Sequence, residues 1–172
     1  MTPDDLRQIF ERLARGPTAA TIGPRHLYLW HGDLAALENL VPPALLQRFD
    51  LYALAGQLPR TPYAVDEARR LLRAQIEQEL RDQITSVRQA QDRRTYQQVL
   101  IVNGCSLLAR YGVPLQPFYS FVSDSRAVVL VVSREETESV PPVGLPDFVR
   151  LAPAAIFAAL SQAVGEKNVI QG

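Results

Sequence analysis

The chain predicts an α/β fold: a three-layer domain with a mostly parallel sheet and helices on both faces, degenerate P-loop-like or Rossmann-like, formed by residues 1–172 as a single α/β domain. Three observations carry this. The apolar run Val99-Leu100-Ile101-Val102 breaks at Asn103-Gly104, and a second run, Val128 to Val132, follows one helix later. Continuous apolar runs, rather than alternating ones, belong to strands buried on both faces, as in parallel sheets. Finally, strand-like and helix-like stretches alternate through most of the chain, which is the pattern of βαβ units.

Thr2-Pro3-Asp4-Asp5 starts the first helix: a capping hydroxyl, proline in the first turn, and acids where the helix dipole is positive. Leu6, Ile9, Phe10 and Leu13 give its apolar stripe, and Gly16-Pro17 ends it. A loop through Gly23-Pro24 leads to a strand, His26 to Trp30, which stops at His31-Gly32. Asp33 can cap a short helix carrying Leu34, Leu37 and Leu40. Pro42-Pro43 then starts another turn through Leu46. The run Phe49 to Leu54 is the next expected strand, with a loop at Gly56 to Thr61.

The longest helix is expected from Asp66 to Gln91, with Ala68, Leu72, Ile76, Leu80, Ile84 and Val87 on one face. Opposite-charge pairs four apart, such as Asp66 with Arg70 and Glu77 with Arg81, line its other face. After the Val99 strand, Ser106 to Arg110 begins a short helix that Gly112 ends. Pro114 starts another, facing inward with Leu115, Phe118, Phe121 and Val122. Ser133 to Val143 reads as a polar, acidic, Pro-rich loop, Phe148 to Leu151 as a short last strand, and Pro153 to Val164 as a closing helix with Ile156, Phe157 and Leu160 inward.

Composition narrows the function classes. Lys plus Arg and Asp plus Glu both number 18, so there is no overall basic field to draw the protein onto DNA or an anionic membrane, and direct nucleic-acid binding is not expected. No segment reaches the ~20 apolar residues of a membrane helix, and the N-terminus has no basic-then-apolar leader, so a cytoplasmic protein is expected. One cysteine, Cys105, excludes an internal disulfide and a multi-cysteine zinc site. Lys167 is the only lysine, which leaves none near a strand end to hold phosphates.

Ligands of open α/β sheets lie beyond the carboxyl ends of the strands. Three such stops are His31-Gly32-Asp33, Asn103-Gly104-Cys105-Ser106 and Ser133-Arg134-Glu135-Glu136. A phosphate loop at the first would read G-x-x-x-x-G-K-[ST], because backbone N–H groups cradle the phosphates, lysine reaches the terminal ones and the hydroxyl binds magnesium. Gly32 stands there without the second glycine, the lysine or the hydroxyl, and the second stop has Asn103 where a magnesium-binding acid would be. Ordinary P-loop hydrolysis is thereby disfavoured, while a degenerate nucleotide-binding regulator stays open.

The enzymatic alternative is a cysteine-dependent hydrolase or amidotransferase. Cys105 follows a strand and precedes a helix, an elbow that exposes a nucleophile near helix N–H groups, and His31 or His26 could act as base. Against it, Ser106 replaces the usual glycine, no orienting acid is evident, and a lone cysteine in such a corner is usually a small buried hydrophobe. No catalytic, cofactor or metal residue is therefore assigned. His26 and His31, five apart along a strand, point to opposite faces and do not converge with Asp33 on a metal. Arg69, Arg70, Arg73, Arg88, Arg93 and Arg94 are interleaved with acids and read as a solvated surface, and Trp30, Tyr52 and Tyr63 as core or rim aromatics. The Glu135 to Pro146 stretch reads as a surface loop.

The layout resembles small accessory proteins of the BREX anti-phage systems, chiefly the BrxB type and then the BrxF type. The matching features are the early strand at His26 to Trp30, a second strand with a long helix, Val99-Leu100-Ile101-Val102 running into Ser106-Leu107-Leu108, and the Val128 to Val132 strand, over roughly Arg25 to Val132. BrxF-type proteins look like compact P-loop proteins, whose motifs are not intact at His31 to Leu34 or Asn103. The BrxB type offers no catalytic residues to carry over. The resemblance implies a cytosolic, non-catalytic adaptor or scaffold that binds larger subunits of a bacterial anti-phage defence complex, without a cofactor. It would use helix faces or the Ser133 to Val143 loop.

Overall fold

The computed structural model describes residues 1–16, 26–59, 64–89, 97–133 and 151–172. Five strands form one sheet in the order β2-β3-β4-β1-β5, and every strand pair is parallel. They are β1 (Leu27–His31), β2 (Leu46–Asp50), β3 (Gln98–Asn103), β4 (Arg126–Val132) and β5 (Val169–Gln171). Helices α1 (Pro3–Arg15) and α2 (Leu34–Glu38) cover one face. The other is covered by α3 (Leu51–Ala55), α4 (Val65–Gln89), α5 (Ser106–Tyr111), α6 (Gln116–Phe121) and α7 (Pro153–Val164). The expected three-layer α/β architecture is therefore present.

The interior strands are apolar on both faces because both faces are covered. Along β3, Leu100 and Val102 point into the layer under α4, while Val99 and Ile101 point into the layer under α1. Along β1, Leu27 and Leu29 go one way, Tyr28 and Trp30 the other. The period of two is a division between two cores, not between core and water.

Several expected elements shift. The strand foreseen over Phe49 to Leu54 instead ends at Asp50, and helix follows at once. The Asp50 carboxylate accepts the backbone N–H groups of Tyr52 (2.8 Å) and Ala53 (3.2 Å), which stops the strand and caps α3. Leu51, Leu54 and Ala55 are then buried at helical spacing, so one short apolar run served two elements. The first strand is displaced by one residue, to Leu27–His31. The helix expected to begin at Pro114 begins at Gln116, with Pro117 in its first turn. The strand expected at Phe148 to Leu151 falls outside the described residues except for Leu151, which is in no strand. The fifth strand, Val169–Gln171, is three residues long and carries too little pattern to be read in the sequence.

The helix starts follow their local chemistry. Thr2 and Asp5 exchange hydrogen bonds in a capping box (2.8 and 3.2 Å), as the opening residues require. Gly112 takes φ +62° at the end of α5, where the Arg69 guanidinium donates to the Tyr111 carbonyl at 2.6 Å and closes the last turn.

Candidate functional site at the carboxyl edge of the sheet

β1 lies inside the sheet and leaves toward the α1/α2 face through α2, whereas its neighbour β4 is followed by α7 on the other face. The carboxyl end between them is the switch point where open sheets of this class hold ligands. Here the chain fills that place itself. After His31 only Gly32 and Asp33 precede α2, and the Asp33 carboxylate accepts the Ala36 N–H at 3.1 Å, so an anionic side chain occupies the helix start. The Trp30 indole N–H donates to the Asp33 carbonyl at 2.9 Å. Gly172 lies on the indole face, with its N–H bonded to the His31 carbonyl at 3.0 Å. A Cβ on Gly32 would come within 3.0 Å of the Gly172 Cα, so this approach needs glycine on the β1 side. The His31 ring stacks on Phe157 at 4.3 Å, and its Nδ1 is 3.0 Å from the Gln171 side-chain oxygen.

The second stop, after β3, is also closed. Gly104 takes φ +74° and lies under Tyr52, whose Cδ2 would be 2.7 Å from an added Cβ. The Tyr52 hydroxyl is 2.8 Å from the Ser106 Oγ, and Ser106 is fully buried. Cys105 is fully buried too, and its thiol donates to the Val102 carbonyl at 3.2 Å. Asp50 and Asn103, register partners at the ends of β2 and β3, are exposed at the rim. Of the third stop, only Ser133 is within the described residues.

The structure does not bring Cys105 and His31 together. β4 lies between the strand that leads to Cys105 and the one that ends at His31, and two strand spacings are about 10 Å. A nucleophile and its base need direct hydrogen-bond reach. His26 is at the other end of β1, its Nδ1 2.8 Å from the Tyr28 hydroxyl, so the histidines differ in position along the strand as well as in face. Burial holds the His26 pKa below the usual imidazole value, with Asp124 pulling it up and Arg12 down, and burial pushes the Tyr28 phenol up to about 12. Among the described residues no group of three His, Cys, Asp or Glu side chains could hold a metal ion.

The arginines of α4 pair on their own helix: Arg69 with Asp66 (2.9 Å), Arg70 with Glu67 (3.9 Å) and Arg73 with Glu77 (2.8 Å). The side chains of Arg88, Arg93 and Arg94 lie outside the described residues, as does Tyr63. Trp30 is buried and Tyr52 half-buried.

One feature escaped the sequence. Between α4 and α6 runs a groove of about 310 Å³. Leu80, Ile84, Pro117 and Phe121 give it apolar surface; Arg73, Glu77, Arg81, Gln116 and Ser120 add polar groups. The Arg126 guanidinium lies over the Phe121 ring at 5.2 Å and donates to the Phe121 carbonyl at 2.8 Å, which fixes that wall. The only sequence signal was that the α4 stripe continues past Leu80 to Ile84, beyond what one short helix can cover.

Compared with known proteins, the chain matches no family model and none of the curated proteins. No helix among the described residues is long and apolar enough to cross a membrane.

Proposed function

We propose that this protein is a non-catalytic adaptor that binds larger protein subunits, acting in a bacterial anti-phage defence complex of the BREX kind. The observation that carries the adaptor reading is the contrast between two places. The carboxyl edge, where an α/β enzyme keeps its ligand, is filled by Trp30, His31, Asp33, Tyr52 and Gly172, while the α4/α6 groove pairs an apolar floor with a polar rim. That combination suits a docked polypeptide segment better than a small substrate. The defence setting rests on the resemblance in strand and helix layout over residues 25–132.

The test is a tagged pull-down from the native host at moderate salt, with wild type beside a rim variant, Gln116→Glu with Ser120→Arg. Both positions are exposed, so the fold should be retained. The expected result is stoichiometric recovery of a methyltransferase, a phosphatase-like protein or a large ATPase with wild type, and its loss with the variant. Recovery of the protein alone would sink the adaptor reading.

A degenerate nucleotide-binding regulator is the second reading, and the interior, switch-point position of β1 favours it. Millimolar Mg-ATP would then raise the melting temperature, because a ligand that binds only the folded state stabilises it. An unmoved transition would remove this reading.

A further inference from the structure

β5 is the shortest of the five strands and, like β2, lies at an edge of the sheet. It is three residues long and pairs, among the described residues, with β1 alone. It is reached through Gly165 at φ +91°, where no atom lies within 4 Å of a would-be Cβ, so no side chain packs over that joint, which only its own backbone bonds to Ser161 and Asn168 hold. A short 3₁₀ turn, Glu166–Asn168, with exposed Glu166 and Lys167, lies between this joint and the strand. What β5 covers is the switch point: Gly172 lies on the Trp30 indole, Gln171 contacts His31, and Ile170 is the strand's one fully buried side chain. Locally opening units are short and rich in exposed backbone bonds, and a three-residue edge strand anchored by one buried side chain meets that description.

We propose that residues 166–172 form a strap that undocks from β1 as a local unit, with the rest of the sheet still paired. Closed, it fills the crevice in which a sheet of this topology would hold a ligand. Open, it bares the β1 edge together with Trp30, His31 and Gly32. The inference goes beyond the adaptor reading and stands or falls on the purified chain alone, with no partner present.

Native-state hydrogen exchange on the full chain tests it, with Ile170→Ala as the variant that loosens the strap. In wild type the Gly172 amide, which donates to the His31 carbonyl, should exchange roughly 100-fold faster than the hydrogen-bonded amides of β3 and β4, as expected of a sub-global opening. Ile170→Ala should speed exchange at the Gly172 amide further. Trp30 is the only tryptophan, so acrylamide quenching of its fluorescence reports the same event and should rise in the variant. Equal protection of Gly172 and β4 in wild type would overturn the proposal. So would exchange at Gly172 that rises with urea as steeply as exchange in β4, since β5 would then open only with global unfolding.

Discussion

The two faces of the sheet are built from the same strands yet held by different means. Under α3 to α7 lies the larger core, in which Leu72, Ile76 and Leu80 of α4 meet Leu100, Leu130, Phe118 and Phe121. Under α1 and α2 lies a smaller one, in which Leu6, Ile9, Phe10 and Leu13 meet Tyr28, Trp30, Val129 and Val131. The larger face has overlapping helices, so removing one side chain leaves a cavity that its neighbours cannot fill by moving. On the smaller face α1 is one amphipathic helix that can settle as a unit. The residual cavity, more than the area lost, decides the cost of a truncation.

The comparison breaks most visibly at its two buried phenylalanines. Phe118 packs edge-on against Phe49, with centroids 6.2 Å apart and an interplanar angle of 88°, and is fully buried. Phe118→Ala should cost about 4 kcal/mol, in the middle of the range for such changes. Phe10, equally buried, should cost about 3 kcal/mol as alanine, because α1 can close on the gap. Urea titration with an unchanged slope measures both. Equal losses would show that α1 is as rigidly held as α6.

Next in size is the β3–α5 turn. Gly104→Ala forces a side chain into φ +74° and drives its Cβ against the Tyr52 ring. The expected cost is about 2 kcal/mol, a strained backbone with an overpacked contact. The same turn holds Cys105, whose thiol should react with a neutral alkylating reagent only as the chain unfolds. Rapid reaction of the native protein, lost in His31→Ala, would revive the cysteine-enzyme reading.

On the smaller face, Thr2→Ala removes half of the capping box that starts α1 and should cost about 1 kcal/mol. The loss should appear as faster exchange in the first turn of α1 and not in α4.

How much could be read beforehand follows the same physics. Val99 to Val102 and Val128 to Val132 were legible because β-branched runs bounded by turn residues have few other stable conformations. α1 was legible from its cap and stripe together. Phe49 to Leu54 was misread because five apolar residues around a single acid fit either period, and the deciding fact was local: that acid, Asp50, takes two N–H groups. β5 was invisible because three residues hold no period at all, and its strand state comes from a neighbour 140 residues away, where Gln171 meets His31. The strand stops at His31-Gly32-Asp33 and Asn103-Gly104-Cys105-Ser106 were found at the right places. That these two are closed was not legible, since closure depends on which distant side chains arrive there. Nor was the α4/α6 groove, which exists only once two helices far apart in sequence are packed side by side.

The smallest effect tests the amino end of the smaller core, where His26 is half-buried against Tyr28. Burial lowers the His26 pKa in the folded state, with Arg12 acting in the same direction and Asp124 opposing. The unfolded chain, with an imidazole near 6.5, therefore binds a proton more readily than the folded one over this range. Stability should be full above that value and decline as the pH falls through it, levelling once the folded imidazole is also protonated. In His26→Asn, which keeps a polar partner for the Tyr28 hydroxyl and cannot titrate, the decline between about pH 7 and pH 5.5 should flatten. Carboxylates that titrate lower remain in both proteins, so the difference between their unfolding free energies isolates the imidazole. A difference of opposite sign would mean that Asp124 outweighs burial at this corner, and that the smaller face is held there by a charge pair rather than by packing.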